Sequence, residues 1–246
     1  MRAASFEQRA HAASLGGFDG IGLFVGAYRA AIRAGATDDS LLGVLESHHT
    51  HVIEIEALPM FNDDVLELAL SVGEAFGARR IQTVAPFVGD VDRAQAAAWL
   101  GEAADRAGAF GAALAIEFLP FTAIATASDA SELIERAGRA NIGMCVDAWH
   151  VFRGAGLVSL RDVVAEHVFS IQLNDGPLAP VLLDYVEDCL HHREVMGEAE
   201  FDLATLMSML PSNAPLSIEV PDDDLDLLDP VEVARRLGDA TRRLLS

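Results

Sequence analysis

The sequence predicts an α/β chain folded as a (β/α)8-type barrel that lacks a standard first strand. Three observations predict it. Short apolar runs alternate with helical stretches along the chain, and the runs are rich in branched side chains, as in a parallel sheet buried on both faces. The connections are short, with no linker, low-complexity tract or composition break, so residues 1–246 read as one domain. A length of 246 residues suits one closed barrel with a large core.

The elements follow in order. Residues 5–15 are helical in pattern, so the chain opens on a helix where a barrel would open on a strand. Phe18-Asp-Gly-Ile-Gly-Leu-Phe24 is the first strand-like run, and helical stretches at 26–34 and 39–47 lead to a strand at 52–58. A helix at 63–76 precedes a strand at 81–85, and a longer helix at 91–108 precedes one at 112–118. Helices at 128–139, 159–166 and 201–210 feed strands at 142–147, 168–173 and 216–220, and a helix closes the chain from about 230 to 245. Asn62, Asp90, Ser128 and Asp229 stand where N-caps are needed, the last followed by Pro230 at a first-turn position. The count is seven strands. A barrel short of one stave leaves two unpaired edges, and a homodimer covering them is an expectation of this reading.

Composition removes several classes of function. A formal net charge of −21 excludes a nucleic-acid partner, because phosphate binding needs a basic face. No run approaches the eighteen or so apolar residues of a membrane span, and the polar start Phe6-Glu-Gln-Arg-Ala-His11 lacks a secretion-signal layout. Two cysteines, Cys145 and Cys189, make no disulfide framework, and a cytoplasmic location is the default. All 17 cationic side chains are arginine, so Schiff-base chemistry on a lysine is ruled out.

Four strand-like runs end in groups that seek metal ions: Leu114-Ala-Ile-Glu117, Met144-Cys-Val-Asp147, Phe169-Ser-Ile-Gln172 and Leu216-Ser-Ile-Glu219. The carboxyl ends of parallel barrel strands converge on one mouth, where such folds place their chemistry. A carboxylate ending a buried strand costs several kcal/mol unless it is paired or binds metal, which makes Glu117 and Glu219 candidates, with a salt bridge to arginine as the bland alternative. Asp147 is followed three residues on by His150, close enough for both to reach the mouth, either as a second metal ligand or as a substrate partner. Trp149 and Phe152 suit packing or a sugar-stacking surface. Gln172 or Asn174 offers a neutral oxygen and Asp175 a charged one, although Asn174-Asp-Gly is also ordinary turn chemistry. Arg193 suits capture of a substrate hydroxylate, carboxylate or phosphate, and Glu54 or Glu56 lines the pocket.

These residues resemble the xylose isomerase-like TIM-barrel superfamily, the sugar phosphate isomerase/epimerase group. The resemblance runs from about residue 5 onward and is carried by Gly17-Phe-Asp-Gly-Ile-Gly-Leu23, Ile116-Glu-Phe, Asp147-Ala-Trp-His150, Gln172-Leu-Asn-Asp175 and Ser217-Ile-Glu219. It implies one divalent ion held by Glu117, Asp147, Gln172 and Glu219. Ketose 3-epimerase-like members carry histidine where Gln172 stands, and the change favours Mn, Mg or Co over Zn. His150, Arg193, Glu56 and Trp149 are then the substrate-binding candidates, and Glu117 and Glu219 the catalytic pair. The implied activity is isomerisation or epimerisation of a small sugar, sugar phosphate or polyol through an enediolate. A dehydratase acting on a cyclic polyhydroxy ketone of the keto-inositol or dehydroshikimate type is the alternative. A barrel that has lost catalysis is the non-enzymatic one. An abasic-site endonuclease shares the fold, but its three-zinc site needs more histidines than this mouth supplies.

Overall fold

The computed structural model describes Arg2 and residues 4–246. Helix α1 (Phe6–Gly16) opens it, closed by Gly17 in the left-handed region at φ +80°. Strand β1 (Ile21–Phe24) follows, then α2 (Val25–Arg33), α3 (Asp38–Ser47), β2 (Val52–Pro59) and α4 (Asp63–Phe76). Strand β3 (Arg80–Val84), α5 (Arg93–Gly108), β4 (Ala113–Glu117) and α6 (Ala127–Ala137) continue the alternation. Next come β5 (Ile142–Asp147), the short α7 (Ala148–Phe152), β6 (Val168–Leu173), α8 (Tyr185–His191), α9 (Leu203–Met209), β7 (Leu216–Ile218) and α10 (Pro230–Leu244).

Local chemistry explains where helices start. Asn62 and Asp229 cap α4 and α10 as expected, but Asp92 rather than Asp90 caps α5, accepting from the amides of Ala94 and Gln95. Helix α6 starts two residues earlier than Ser128 would set it, because Thr126 and Asp129 form a reciprocal capping box. The helix expected at 159–166 is absent. Only two 3-10 turns, Leu157–Leu160 and Ala165–His167, form there. Gly156 sits at φ +72° with no side chain to cap a helix, and the adjacent β-branched Val163 and Val164 add nothing to helix propensity.

The seven strands form one parallel sheet in sequential order, β1 through β7. Each step joins neighbouring parallel strands, and the sheet curls into a nearly closed barrel with seven strands rather than eight. Among the described residues β1 and β7 do not pair, and helices α1 and α10 pack together over that end of the barrel. Their backbones approach closely at Gly16 and Gly238. A β-carbon on Gly238 would stand 2.4 Å from the Gly16 carbonyl oxygen, so only glycine fits. Arg2 donates to the Leu190 carbonyl at 2.7 Å and pairs with Asp223 and Asp226.

Alternation along each strand sorts two interiors. Ile81, Leu114, Ile116, Met144, Val146 and Ile171 are wholly buried against the helix layer. The residues between them point into the barrel and are small or polar. Glu54, Arg80, Gln82, Ala115, Glu117, Cys145, Asp147, Ser170 and Gln172 fill it instead of the usual branched aliphatics. At its base Arg80 donates to Glu54 at 2.9 Å, a buried pair. The polar filling continues upward into the mouth.

Candidate active site at the strand ends

Glu117 and Asp147 conclude β4 and β5, Gln172 stands next to last in β6, and Glu219 lies one residue beyond β7. Parallel register brings them to one rim. Asp147 also starts α7: its Oδ1 accepts the Trp149 amide at 2.8 Å, and the tight turn that results carries His150 back over the mouth. There the His150 Nε2 lies 3.2 Å from Glu117 Oε1 and 3.6 Å from Asp147 Oδ2. One donor atom from each of Glu117, Asp147 and His150 falls within 4.8 Å of the others, and all three residues are buried.

The remaining hydrogen bonds hold this set in place. Asn174 donates to Asp147 Oδ1 at 2.8 Å, and Arg193 Nη1 reaches Asp147 Oδ2 at 2.8 Å and Glu219 Oε2 at 3.1 Å. Gln82, absent from the sequence reading, donates to Glu117 Oε2 at 2.7 Å and faces the Gln172 amide at 3.4 Å in both directions. Cys145 donates to the Gln172 carbonyl oxygen at 3.3 Å. Gln172 is therefore turned toward Gln82 and Cys145, beside the carboxylates rather than among them. Gln82 was findable: it is a carboxamide in an apolar run, Ile81-Gln-Thr-Val84, at an inward position.

Electrostatics divide the carboxylates. Burial would raise the Asp147 carboxyl, but Arg193, His150 and the hydrogen bonds from Asn174 and the Trp149 amide outweigh it and hold it below the usual range. Glu219 goes the other way. Desolvation, with help from Asp147 and Glu117, pushes its carboxyl up to about 7 against the pull of Arg193, although one side remains open to the mouth. Glu56 rises well above its ordinary value, first by burial and then by Glu54, Glu219 and Glu117. Its carboxylate lies over Gly22, where a β-carbon would stand 2.2 Å from Oε1, so Gly22 makes its space.

Three sequence candidates sit differently from the expectation. Trp149 is wholly buried, edge-on to Phe201 at 5.9 Å and under the guanidinium of Arg153 at 4.7 Å, which leaves it no face for a sugar. Arg193 is almost fully buried, with Nε on the Cys189 carbonyl and Nη2 on the Cys189 sulfur besides its two carboxylates, so its fork is spent within the protein. Asp175 accepts four backbone amides, from Gly176, Gly197, Ala199 and Phe201, and braces a loop instead of facing an ion.

The donor set fits a divalent cation. Hard carboxylate oxygens converge with an imidazole in a buried mouth, and Arg193 is the guanidinium hydrogen-bonded to Asp147 and Glu219 there. Glu117 and Asp147 would hold such an ion, with Glu219 on the same rim and His150 beside them.

Known proteins resemble this chain at two depths. The 3-dehydroshikimate dehydratase of Pseudomonas aeruginosa is 31% identical over 129 residues, which is 50% of this chain and 20% of that protein, so the match spans about a fifth of the relative's length. Among solved structures, an IolI protein with a bound zinc atom superposes with a TM-score of 0.86 at 18% identity, covering 99% of this chain and 94% of that one. A D-allulose 3-epimerase from Methylomonas sp. superposes with a TM-score of 0.73 at 14% identity, covering 96% and 90%. The family model of the xylose isomerase-like TIM barrel matches residues 10–244, and the chain belongs to that family.

Proposed function

We propose that this chain is a divalent-metal-dependent dehydratase of a cyclic polyhydroxy ketone, of the 3-dehydroshikimate type. The observation that carries the reading is the position of His150. It places one imidazole nitrogen between Glu117 and Asp147, while Glu219 is tied to Arg193. Loss of water from a β-hydroxy ketone asks one group to take the proton beside the carbonyl and return it to the departing hydroxyl, a task for a single imidazole on one face. The carbon–hydrogen and carbon–oxygen bonds break, a carbon–carbon double bond forms, and water leaves with no change of oxidation state overall. A divalent ion bound by the strand-end carboxylates supplies stabilisation of negative charge on the carbonyl oxygen. The 31% identity to a dehydratase over half the chain supports the substrate class.

One observation favours a second reading. Glu219, with its carboxyl pushed up to about 7, is suited to give or take a proton opposite Glu117, which is what an epimerase requires.

The test is turnover of 3-dehydroshikimate by the purified chain loaded with Mn, Mg or Co, followed by the ultraviolet absorbance of the aromatic product. Turnover is expected, with His150→Ala lowering kcat roughly 10²- to 10⁴-fold. Absence of turnover together with epimerisation of a ketohexose would select the second reading. A chain that binds none of these metals would be a catalytically inert barrel.

A further inference from the structure

The exterior of the barrel carries a histidine pair. His11, exposed on α1, and His48, the half-buried residue that closes α3, place their Nδ1 atoms 3.4 Å apart, with ring centroids at 4.9 Å and 57° between the planes. N–H hydrogen bonds in proteins run at about 2.7–3.2 Å, so the contact is long for one. It matches another geometry. Two imidazole nitrogens bound at about 2.0–2.1 Å to one tetrahedral ion stand about 3.3–3.4 Å apart. Backbone holds both rings in place. Helix α1 is fixed by the reciprocal capping box of Ser5 and Gln8, and Ala10 and Ala12 on either side of His11 are buried. Helix α3 ends in a Schellman motif: the His49 amide bonds the Glu46 carbonyl at 3.1 Å and the Thr50 amide the Leu45 carbonyl at 3.0 Å. His49 takes the left-handed position of that motif at φ +51°, where glycine is usual, and His48 is thereby turned toward α1.

The surroundings suit a cation. The last carbonyls of α3 present the negative end of its dipole beside His48. Exposed Glu7 stands one turn before His11, exposed Glu46 two residues before His48, and the chain as a whole carries −21. The donor chemistry also differs from that of the mouth. Imidazole suits zinc, nickel and copper, whereas carboxylates suit magnesium and manganese, so the two places sort different ions. We propose that His11 and His48 form a zinc site on the outside of the barrel, two imidazoles with water completing the shell, and that the ion clips α1 to α3. The position gives the clip a purpose. Helix α1 packs against both α3 and α10 over the end of the barrel where β1 and β7 do not pair among the described residues. Ligands 37 residues apart meet only in the folded chain, so the bound ion stabilises that chain against unfolding. The inference is independent of the reaction assigned to the mouth.

The test is zinc binding by the Mg-saturated chain, measured by equilibrium dialysis in the wild type, His11→Gln and His48→Gln. Exchange of magnesium for zinc at the mouth is common to all three proteins and cancels in the comparison. The wild type is expected to bind one zinc per chain more than either variant. With zinc at about 100 times its Kd, the melting temperature of the wild type is expected to rise about 5–10 °C beyond the rise in the variants. Equal zinc counts in all three proteins overturn the site and leave the histidine contact as a long hydrogen bond. An extra zinc lost in one variant but kept in the other overturns the pairing. An extra zinc that brings no extra rise in melting temperature overturns the clip.

Discussion

At the scale of single residues, Arg193 is a charge whose place near the mouth the sequence predicts and whose neighbours it does not. The sequence places an arginine near the mouth, where capture of a substrate anion is a natural expectation. In the folded chain its Nη1 is shared by Asp147 and Glu219 at 2.8 and 3.1 Å, so it balances the site's own carboxylates. Removing it leaves Asp147 buried without its main partner. Arg193→Met is expected to cost about 3–5 kcal/mol in urea unfolding of the metal-free protein, the usual penalty for orphaning one side of a buried pair. Added Mg or Mn should recover part of that loss by supplying the missing positive charge. A variant as stable as the parent without metal would mean that Asp147 is solvated and that the pair is idle. Glu117, Asp147 and His150 were legible because an ionisable group ending a buried apolar run has few other uses. Gln82 was legible as a polar group in an apolar run but its partner was not, and neither was the role of Arg193, because the partners lie 35 and 46 residues away, which spacing along the chain does not encode.

Among elements, the helices and strands follow from periodicity almost throughout, and the exceptions have local causes. The turn α7 is too short for a periodic signal and exists because Asp147 caps it. Helix α8 is likewise only Tyr185–His191, and its apolar face is not distinguishable from the apolar loop before it. The pairing of α1 with α10 is the least legible contact of all, since the two helices are separated by nearly the whole chain. It depends on two glycines. Gly238→Ala places a methyl group 2.4 Å from the Gly16 carbonyl, where backbone must move, and is expected to destabilise by about 1–3 kcal/mol. Gly43, whose added β-carbon meets nothing within 4 Å, is the control in the middle of α3. Gly43→Ala should stabilise by up to about 1 kcal/mol through helix propensity. Equal melting temperatures for the two variants would show that α1 and α10 are not held at this distance.

For the molecule as a whole, the barrel interior is polar where such interiors are usually aliphatic, and the carboxylates of Glu56, Glu117, Asp147 and Glu219 act on one another at its mouth. That arrangement ties stability to pH in a direction opposite to a simple salt-bridged protein. Glu219 has its carboxyl pushed up to about 7, and Glu56 is raised as well, so between pH 4.5 and 7 the folded state holds protons that the unfolded chain has released. A raised carboxyl contributes its stability fully below the unfolded value and loses it as pH rises through the folded one. Asp147, held low, acts in the other sense and withdraws its contribution only as pH falls below about 4. The melting temperature of the metal-free chain should therefore be highest near pH 4.5–5 and fall steadily to pH 8, with Glu219→Gln flattening the upper part of that fall. Saturating divalent metal should flatten it too, because the ion binds the carboxylates in the form that high pH favours, and its affinity should grow over the same interval. A metal-free melting temperature that rises between pH 5 and 8 would show that the mouth carboxylates are already ionised and compensated, with Arg193 alone sufficient to balance them.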